Sequence, residues 1–214
     1  EGLEIWGDQP FYALGSNANG KLYTYECGVR FGKKRGIRHI ALGHAFHERT
    51  RVSDTYEDSI SYDGTSTISS YKSHYIELDC RVNRTGLLQS GNNYNCTTGH
   101  YNCSIIRVNG TYDTAKGPVI IDVLGAQSVN LNVTSKNSTL SAQADANSFS
   151  AGTWSADDLP TVMWLYDCAA DGSYYDIYAA NGGIIFVDSN FTYSADARTL
   201  NYIFSVDEYS APLF

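Results

Sequence analysis

Three histidines followed by a glutamate form the closest approach to a metal site in this sequence. His39, His44 and His47 lie close together, and Glu48 comes next. On a helix over Ala41 to Thr50, His44 and His47 would share one face, where neutral imidazoles can chelate zinc or copper. The order of residues matches neither helical zinc-protease motif, His-Glu-x-x-His or His-x-x-Glu-His. We therefore expect histidines that bond to backbone or solvent at a strand edge, no cofactor, and at most a weak metal candidate at His44 and His47.

Paired carboxylates for glycoside hydrolysis are a second hypothesis. Glu77-Leu78-Asp79 on a strand would place both carboxylates on one face, and acid/base hydrolysis needs two such groups about 5–10 Å apart. Sandwich glycosidases with the pattern Glu-x-Asp-x-x-Glu need a third acid, where this chain has Val82. The candidates for this chemistry are therefore weak: Glu26, Glu77 and Asp79.

A polysaccharide lyase is a third hypothesis, because β-elimination uses Tyr, His, Lys or Arg and needs no acid pair. Tyr71, Lys72, His74 and Tyr75 supply these residue types on one predicted strand, but alternation divides them between its two faces. The chain also lacks a Gly-x-Ser-x-Gly nucleophile motif and a phosphate-binding glycine loop. We therefore favour a protein without catalytic residues, with a glycoside hydrolase or polysaccharide lyase as the alternative.

Asparagine acceptors for N-glycosylation are more frequent than chance predicts. The composition would supply about three Asn-x-Ser/Thr sequons, and the chain has seven: Asn83, Asn95, Asn102, Asn109, Asn132, Asn137 and Asn190. This excess predicts a secreted or extracellular glycoprotein carrying N-linked glycans. A first residue of Glu1 instead of Met agrees with removal of a signal peptide.

The cysteines fit the same compartment. Cys96 and Cys103 stand seven residues apart, and we expect a disulfide that closes this small loop. Cys27, Cys80 and Cys168 would allow one further pair, of which Cys27 with Cys80 is one candidate, and would leave one thiol. The spacing does not fix that pairing.

Composition restricts the partners. The net charge is −8 with no basic stripe in the sequence, which argues against nucleic acid. No apolar run approaches the roughly 20 residues of a membrane-spanning helix. The 17 tyrosines are typical of strands, and clusters such as Tyr23 and Tyr25 could either pack across strands or offer flat platforms to sugar rings.

Period-2 alternation dominates the elements that must position these residues. It predicts an all-β, single-domain antiparallel β-sandwich or barrel over 1–214, with about a dozen short strands and little helix. The clearest hairpin joins residues 174–178 to 184–188 through Asn181-Gly182. Helix is expected only at Ala41 to Thr50 and at Ser155 to Leu159, and a long polar insertion at about residues 44–71.

Residues 94–180 carry an ordered set of short motifs. They include Tyr94-Asn95-Cys96, Cys103, Asn109-Gly110-Thr111, the strand Val119 to Val123, Gly125-Ala126-Gln127-Ser128-Val129, Leu140, Ser148 to Gly152, Leu165 to Ala169 and Tyr174 to Ala179. This order resembles the secreted glycoproteins of filamentous fungi known as the phialide cell-wall protein (PhiA) or IgE-binding protein family. The chain differs from the family pattern at Ala126, Asn130 and residues 144–146.

The resemblance implies a glycosylated, cell-wall-associated protein and supplies no catalytic residue. Together with the sequons, it favours a secreted fungal cell-wall or surface protein with a structural or glycan-contacting role. A cell-wall polysaccharide is the partner that such a role would require.

Overall fold

The chain folds into strands connected by turns and loops, as described by a computed structural model. The structure describes residues 4–5, 11–14, 21–30, 35–40, 43–55, 58–63, 73–85, 96–101, 103–114, 119–137, 147–152, 160–171, 175–193, 202–206 and 211–213. The strands within these ranges are β1 (Glu4–Ile5), β2 (Phe11–Leu14), β3 (Lys21–Tyr25), β4 (Gly28–Arg30), β5 (Ile37–Ile40), β6 (His44–Glu48), β7 (Arg51–Ser53), β8 (Ile60–Asp63), β9 (Ser73–Leu78), β10 (Arg81–Thr85), β11 (Thr97–His100), β12 (Cys103–Val108), β13 (Thr111–Thr114), β14 (Ile120–Val123), β15 (Gln127–Leu131), β16 (Thr134–Asn137), β17 (Asn147–Gly152), β18 (Val162–Tyr166), β19 (Ala169–Asp171), β20 (Tyr175–Ala180), β21 (Ile184–Val187), β22 (Tyr202–Val206) and β23 (Ala211–Leu213).

Every strand pairs in parallel with the strand three positions away in the chain, up to β21. Sheet A has the order β1-β4-β7-β10-β13-β16-β19, sheet B the order β2-β5-β8-β11-β14-β17-β20-β22, and sheet C the order β3-β6-β9-β12-β15-β18-β21-β23. Each circuit of the chain thus adds one strand to each sheet, and successive circuits, here called coils, stack as a parallel β-helix.

The predicted antiparallel sandwich or barrel is therefore wrong, although the prediction of an all-β chain is confirmed. Alternation of side chains identifies a strand with one buried face, but it is the same for parallel and antiparallel partners. The strand with which each strand pairs lies one coil away. For example, Cys103–Val108 lies in register with Ser73–Leu78. The sequence shows no constant repeat length that would reveal this.

Inward-facing side chains fill the space between the sheets. In sheet A the second residue of β4, β7, β10 and β13 points inward, and these residues, Val29, Val52, Val82 and Tyr112, are nearly or fully buried. In sheet C the inward positions carry polar as well as apolar side chains, including the buried Glu77 and Arg107. The residues between them face solvent, so each sheet has one inner and one outer set of side chains.

A left-handed residue turns the chain from sheet C to sheet A in each of six coils. Six residues hold this position, with φ between 49 and 53°: Glu26, Arg49, Asp79, Asn109, Asn132 and Asp167. Asn and Asp tolerate this conformation better than other non-glycine residues. The turns stack: the amide N–H of Asn109 donates to the carbonyl of Leu131 one coil on, and Asn132 Nδ2 donates to Asn109 Oδ1 at 3.0 Å.

This topology corrects two local predictions and agrees with a third. The helix expected at Ala41 to Thr50 is wrong, since strand β6 occupies His44–Glu48, while Ser155 to Leu159 lies outside the described residues. The polar insertion at 44–71 contains strands β6, β7 and β8, which form one complete coil. The Asn181-Gly182 turn has the expected positive φ angles, of 46 and 79°.

The hairpin expected across that turn does not form. Strand β20 pairs with β17 and β22 in sheet B, whereas β21 pairs with β18 and β23 in sheet C. The tight turn therefore moves the chain from one sheet to the next instead of folding two strands onto each other.

The expected disulfides are also not formed, because all five cysteines are thiols. Cys96 and Cys103 are separated by the strand Thr97–His100, which extends about 13 Å at 3.3 Å per residue. Cys27 and Cys80 occupy equivalent turn positions two coils apart, which places them about 10 Å from each other along the stack. Both separations exceed the Cα distance of about 7 Å that a disulfide can span.

The described residues include no helix with the length and apolar character of a membrane span.

Candidate functional site

A groove with several basic side chains runs across the outer face of sheet A. Parallel register places Arg51 of β7 directly beside Arg81 of β10, and Gly28 of β4 on the other side of Arg51. Two adjoining cavities of about 530 and 540 Å³ share these three residues. The cavities together, here called the cationic groove, extend from the left-handed turns to β16, and their charged lining residues are Glu26, Arg30, Arg49, Arg51, Asp79, Arg81, Asp113 and Lys136.

The groove contrasts with the charge of the whole chain. Its lining has five cationic side chains and three carboxylates, whereas the chain as a whole carries a net charge of −8. No basic stripe is visible in the sequence, because Arg51 and Arg81 stand thirty residues apart. One full coil separates them, and stacking brings them together.

Arg51 and Arg81 are the two groove cations that lack an ion-pair partner among the described residues. Both are exposed, and in-register residues of adjacent strands have backbones about 4.8 Å apart. Like charges directly across neighbouring strands destabilise a sheet by roughly 0.2–1 kcal/mol. The fold therefore tolerates a repulsive pair at this position, and a bound anion would relieve the repulsion.

The other cations of the groove have partners. Arg49 Nη1 lies 2.9 Å from Glu26 Oε1, Arg30 is 3.9 Å from Asp54, and Lys136 is 3.6 Å from the exposed Asp171. The hydrogen bond from Arg49 lowers the pKa of Glu26, with a smaller contribution from Tyr25. Glu26 is therefore ionised at neutral pH and is unsuited to donating a proton as a general acid.

The proposed pairing of Glu77 with Asp79 is wrong in this structure. Glu77 points into the core and is fully buried, whereas the chain turns at Asp79, whose φ is 53°. Thr97 Oγ1 donates to Glu77 Oε1 at 2.8 Å, and Tyr112 donates its hydroxyl to the other oxygen. Substrate cannot reach a carboxylate in this position, so of the three acidic candidates Glu26 and Asp79 remain accessible, both at the mouth of the groove.

Arg107 is the counter-ion of this buried acid and was not identified from the sequence. Its guanidinium donates to both carboxylate oxygens of Asp122, at 2.9 and 3.0 Å, and its Nε lies 3.7 Å from Glu77. Burial alone would lower the pKa of Arg107, but the carboxylates of Asp122 and Glu77 more than offset burial and raise it. The cluster is fully enclosed, so its role is to stabilise the core.

The lyase candidates are divided as their alternation predicted. His74 is exposed on the outer face of sheet C, whereas Tyr75 is buried and stacks on Tyr62 with ring centroids 4.4 Å apart. Tyr71 and Lys72 lie outside the described residues. His74 and Tyr75 therefore do not share a site.

The histidines form two separate pairs instead of a metal site. His44 stacks on His74 of the neighbouring strand at 5.5 Å on the outer face of sheet C, and His47 points into the core on the opposite face of β6. His39 Nε2 and His47 Nε2 share a hydrogen bond of 2.8 Å. The shared face of His44 and His47 is thus wrong, since residues three apart on a strand face opposite ways. The described residues contain no group of three metal ligands.

Four of the sequon asparagines lie at the surface. Asn83, Asn109, Asn132 and Asn190 are exposed, and Asn83 lines the cationic groove. Asn137 ends β16, and Asn95 and Asn102 lie outside the described residues. Exposure is necessary for glycosylation, so these four positions are compatible with the expected modification.

Comparison of the chain with family models, with curated proteins and with solved structures found no match. The similarity to the phialide cell-wall protein family thus stays a prediction from short motifs.

Proposed function

We propose that this chain is an extracellular, glycan-contacting protein whose cationic groove binds an acidic polysaccharide without cleaving it. The observation that carries the proposal is the in-register pair Arg51 and Arg81, exposed in a groove and without an acidic partner in the described part of the chain. The expected setting is a cell wall or cell surface, in agreement with the excess of sequons.

Arginine suits the carboxylate or sulfate groups of such a polymer. Its planar guanidinium donates two parallel hydrogen bonds to an oxyanion, which adds both strength and orientation. Two arginines side by side can hold one anionic group between them or two successive ones. Arg49 and Lys136, at the two ends of the groove, already have acidic partners and would extend the positive potential.

The shape of the groove favours an extended ligand. It crosses the outer faces of strands β4 to β16, five neighbouring strands that together span about 19 Å at 4.8 Å per strand. A polymer lying along the helix axis would meet one strand after another and could contact Arg51, Arg81 and Lys136 in turn. Neutral polysaccharides would leave the arginine repulsion unrelieved.

The groove is better suited to binding than to acid/base chemistry. Of its three carboxylates, Glu26 and Asp79 are two coils apart with Arg49 at the turn between them, and Asp113 lies on β13, one coil beyond Asp79. Arg49 keeps Glu26 ionised through their hydrogen bond, which lowers the pKa of Glu26. Hydrolysis would require one of the two to remain protonated.

The test is a binding screen with purified protein. Polygalacturonate and alginate represent uronic-acid polymers, and chitin, β-glucan and mannan represent neutral ones. We expect retention by the acidic polymers alone, with affinity that falls as salt is raised. Arg51→Gln with Arg81→Gln should reduce affinity at least tenfold, whereas Arg38→Gln, on the outer face of sheet B, should not.

Binding and product release are scored separately. Release of unsaturated or reducing ends would establish the enzyme alternative instead. Retention by neutral polymers alone, or equal loss in the Arg38→Gln control, would contradict the role given to the groove. Asn83→Gln removes the sequon inside the groove, and we expect it to preserve or improve binding because a glycan there would obstruct the ligand.

A further inference from the structure

The outer face of sheet C presents apolar side chains in adjacent rows across its described strands. Its middle row consists entirely of apolar or aromatic side chains in register across seven strands: Tyr23, Phe46, Ile76, Ile106, Val129, Trp164 and Phe186. The row beside it, toward the left-handed turns, contributes Tyr25, Leu78, Val108, Leu131 and Tyr166, with the charged Glu48 between Tyr25 and Leu78. We call these two rows the apolar face.

Several of these side chains are far more exposed than a core requires. Tyr23 is 63% exposed, Tyr25 57%, Tyr166 43%, Ile106 42% and Leu131 41%. Monomeric proteins rarely display contiguous apolar patches larger than a few hundred Å². This face extends about 29 Å along the stack and about 15 Å across it, which is on the order of 500 Å².

We propose that the apolar face is an interface with a second copy of this chain. Two such faces would bury on the order of 1,000 Å² in total, which is at the lower limit for a specific association. The expected product is a dimer that dissociates in the micromolar range. The face belongs to sheet C, so the cationic groove on sheet A stays open in the dimer.

Matching of the rows indicates how the copies are oriented. A two-fold axis parallel to the strands and passing through Ile106 keeps each row opposite the same row of the other copy, so that the two apolar faces bury each other. Ile106 then meets its own counterpart, as an isologous interface requires, and Leu78 of one copy faces Leu131 of the other.

The test is the mass of the full chain in solution as a function of concentration, by sedimentation or light scattering. We expect a monomer–dimer equilibrium, and Ile106→Lys should weaken it at least tenfold by placing a charge at the centre of the interface. Tyr193→Lys is the matched control, since Tyr193 is 56% exposed but lies outside sheet C. A dimer in Tyr193→Lys and a monomer in Ile106→Lys would support the proposal.

The orientation has its own test. Leu78→Glu alone should weaken the dimer, and Leu78→Glu combined with Leu131→Lys should restore part of it, because these two positions face each other across the two-fold axis. Circular dichroism checks that each variant keeps its strands, and Leu131→Lys replaces Ile106→Lys if that variant does not fold. A wild-type chain that stays monomeric at the highest concentration reached, or a dimer that Ile106→Lys and Leu131→Lys leave intact, overturns the proposal.

Discussion

Among the described residues, neither of the buried side chains His39 and His47 forms an ion pair with an acid, although Glu77 stands in register with His47 on the next strand. They share one hydrogen bond through their Nε2 atoms, and Thr24 bonds to Nδ1 of His47. Tyr62 stacks on His39 with ring centroids 5.2 Å apart. Burial lowers the pKa of His47 to about 4 and moves the pKa of His39 well below its usual value, with the neighbouring His47 adding to the effect on His39. Both rings are therefore neutral in the folded protein at neutral pH.

The neutral pair predicts a loss of stability in mild acid. The unfolded chain binds protons on these histidines below about pH 6.5, whereas folded His47 does so only near pH 4. Between these values the unfolded state holds more protons, so the free energy of unfolding falls as pH falls, by about 3 kcal/mol for His47 alone. Denaturant unfolding across pH 7 to 4.5 measures this slope.

His47→Gln provides the comparison for that slope. A glutamine does not titrate, so the pH dependence should become clearly shallower even though the variant starts from a lower stability. An equal slope in both proteins would contradict the assignment to His47.

Arg107 is buried in its charged form, unlike the neutral histidines, because two carboxylates compensate its positive charge. Arg107→Met would leave Glu77 and Asp122 buried without a cation, and breaking such a buried pair costs about 3–5 kcal/mol. We expect thermal unfolding to shift strongly downward. Adding Asp122→Asn to Arg107→Met should recover part of the loss, and a double variant as unstable as the sum of the single variants would contradict the coupling.

At the scale of the sheets, alternation located about half of the strands that the structure describes, and it did not show which strands would pair. The predicted strands 174–178 and 184–188 lie close to the observed β20 (Tyr175–Ala180) and β21 (Ile184–Val187). Pairing depends on which strand lies one coil away, and the loops that set this distance differ in length. The same limitation concealed the groove, since Arg51 and Arg81 become neighbours only through the pairing of β7 with β10.

The repulsion between Arg51 and Arg81 predicts that removing one of these two charges stabilises the protein. Arg81→Gln should raise the free energy of unfolding by a few tenths of a kcal/mol at low salt, because it relieves the interaction with Arg51. The gain should vanish at high salt, where exposed charges are screened. Chemical denaturation at two ionic strengths checks this, with Arg35→Gln as the control that loses an ion pair to Asp58 at 3.2 Å. A loss of stability in Arg81→Gln would indicate a structural role instead.

At the scale of the whole molecule, successive coils are held together by parallel strands and an interior without covalent cross-links. The buried thiols are distributed along this interior. Burial raises the pKa of Cys168 to about 11 and raises the pKa of Cys80 still further. Cys27 alone among the five is partly exposed.

The reactivity of the buried thiols therefore measures whether the stacked coils stay packed together. We expect one of the five thiols, Cys27, to react quickly with an aromatic disulfide reagent in the native protein, and all five to react in denaturant. Cys27→Ser should abolish the fast phase. Fewer than five reactive thiols in denaturant would restore the disulfide prediction that this structure contradicts.

The left-handed turn also affects how an oligosaccharyltransferase would read this chain. The left-handed turn favours Asn. The residue after Asn lies at a buried position. The next residue begins a strand of sheet A, where threonine is favoured. This order produces Asn109-Gly110-Thr111 and Asn132-Val133-Thr134. Two of the seven acceptor sites thus follow from coil geometry. A parallel β-helix forms an N-glycosylation sequon wherever this turn carries asparagine and the following strand of sheet A begins with threonine. This holds in whichever compartment the protein is made.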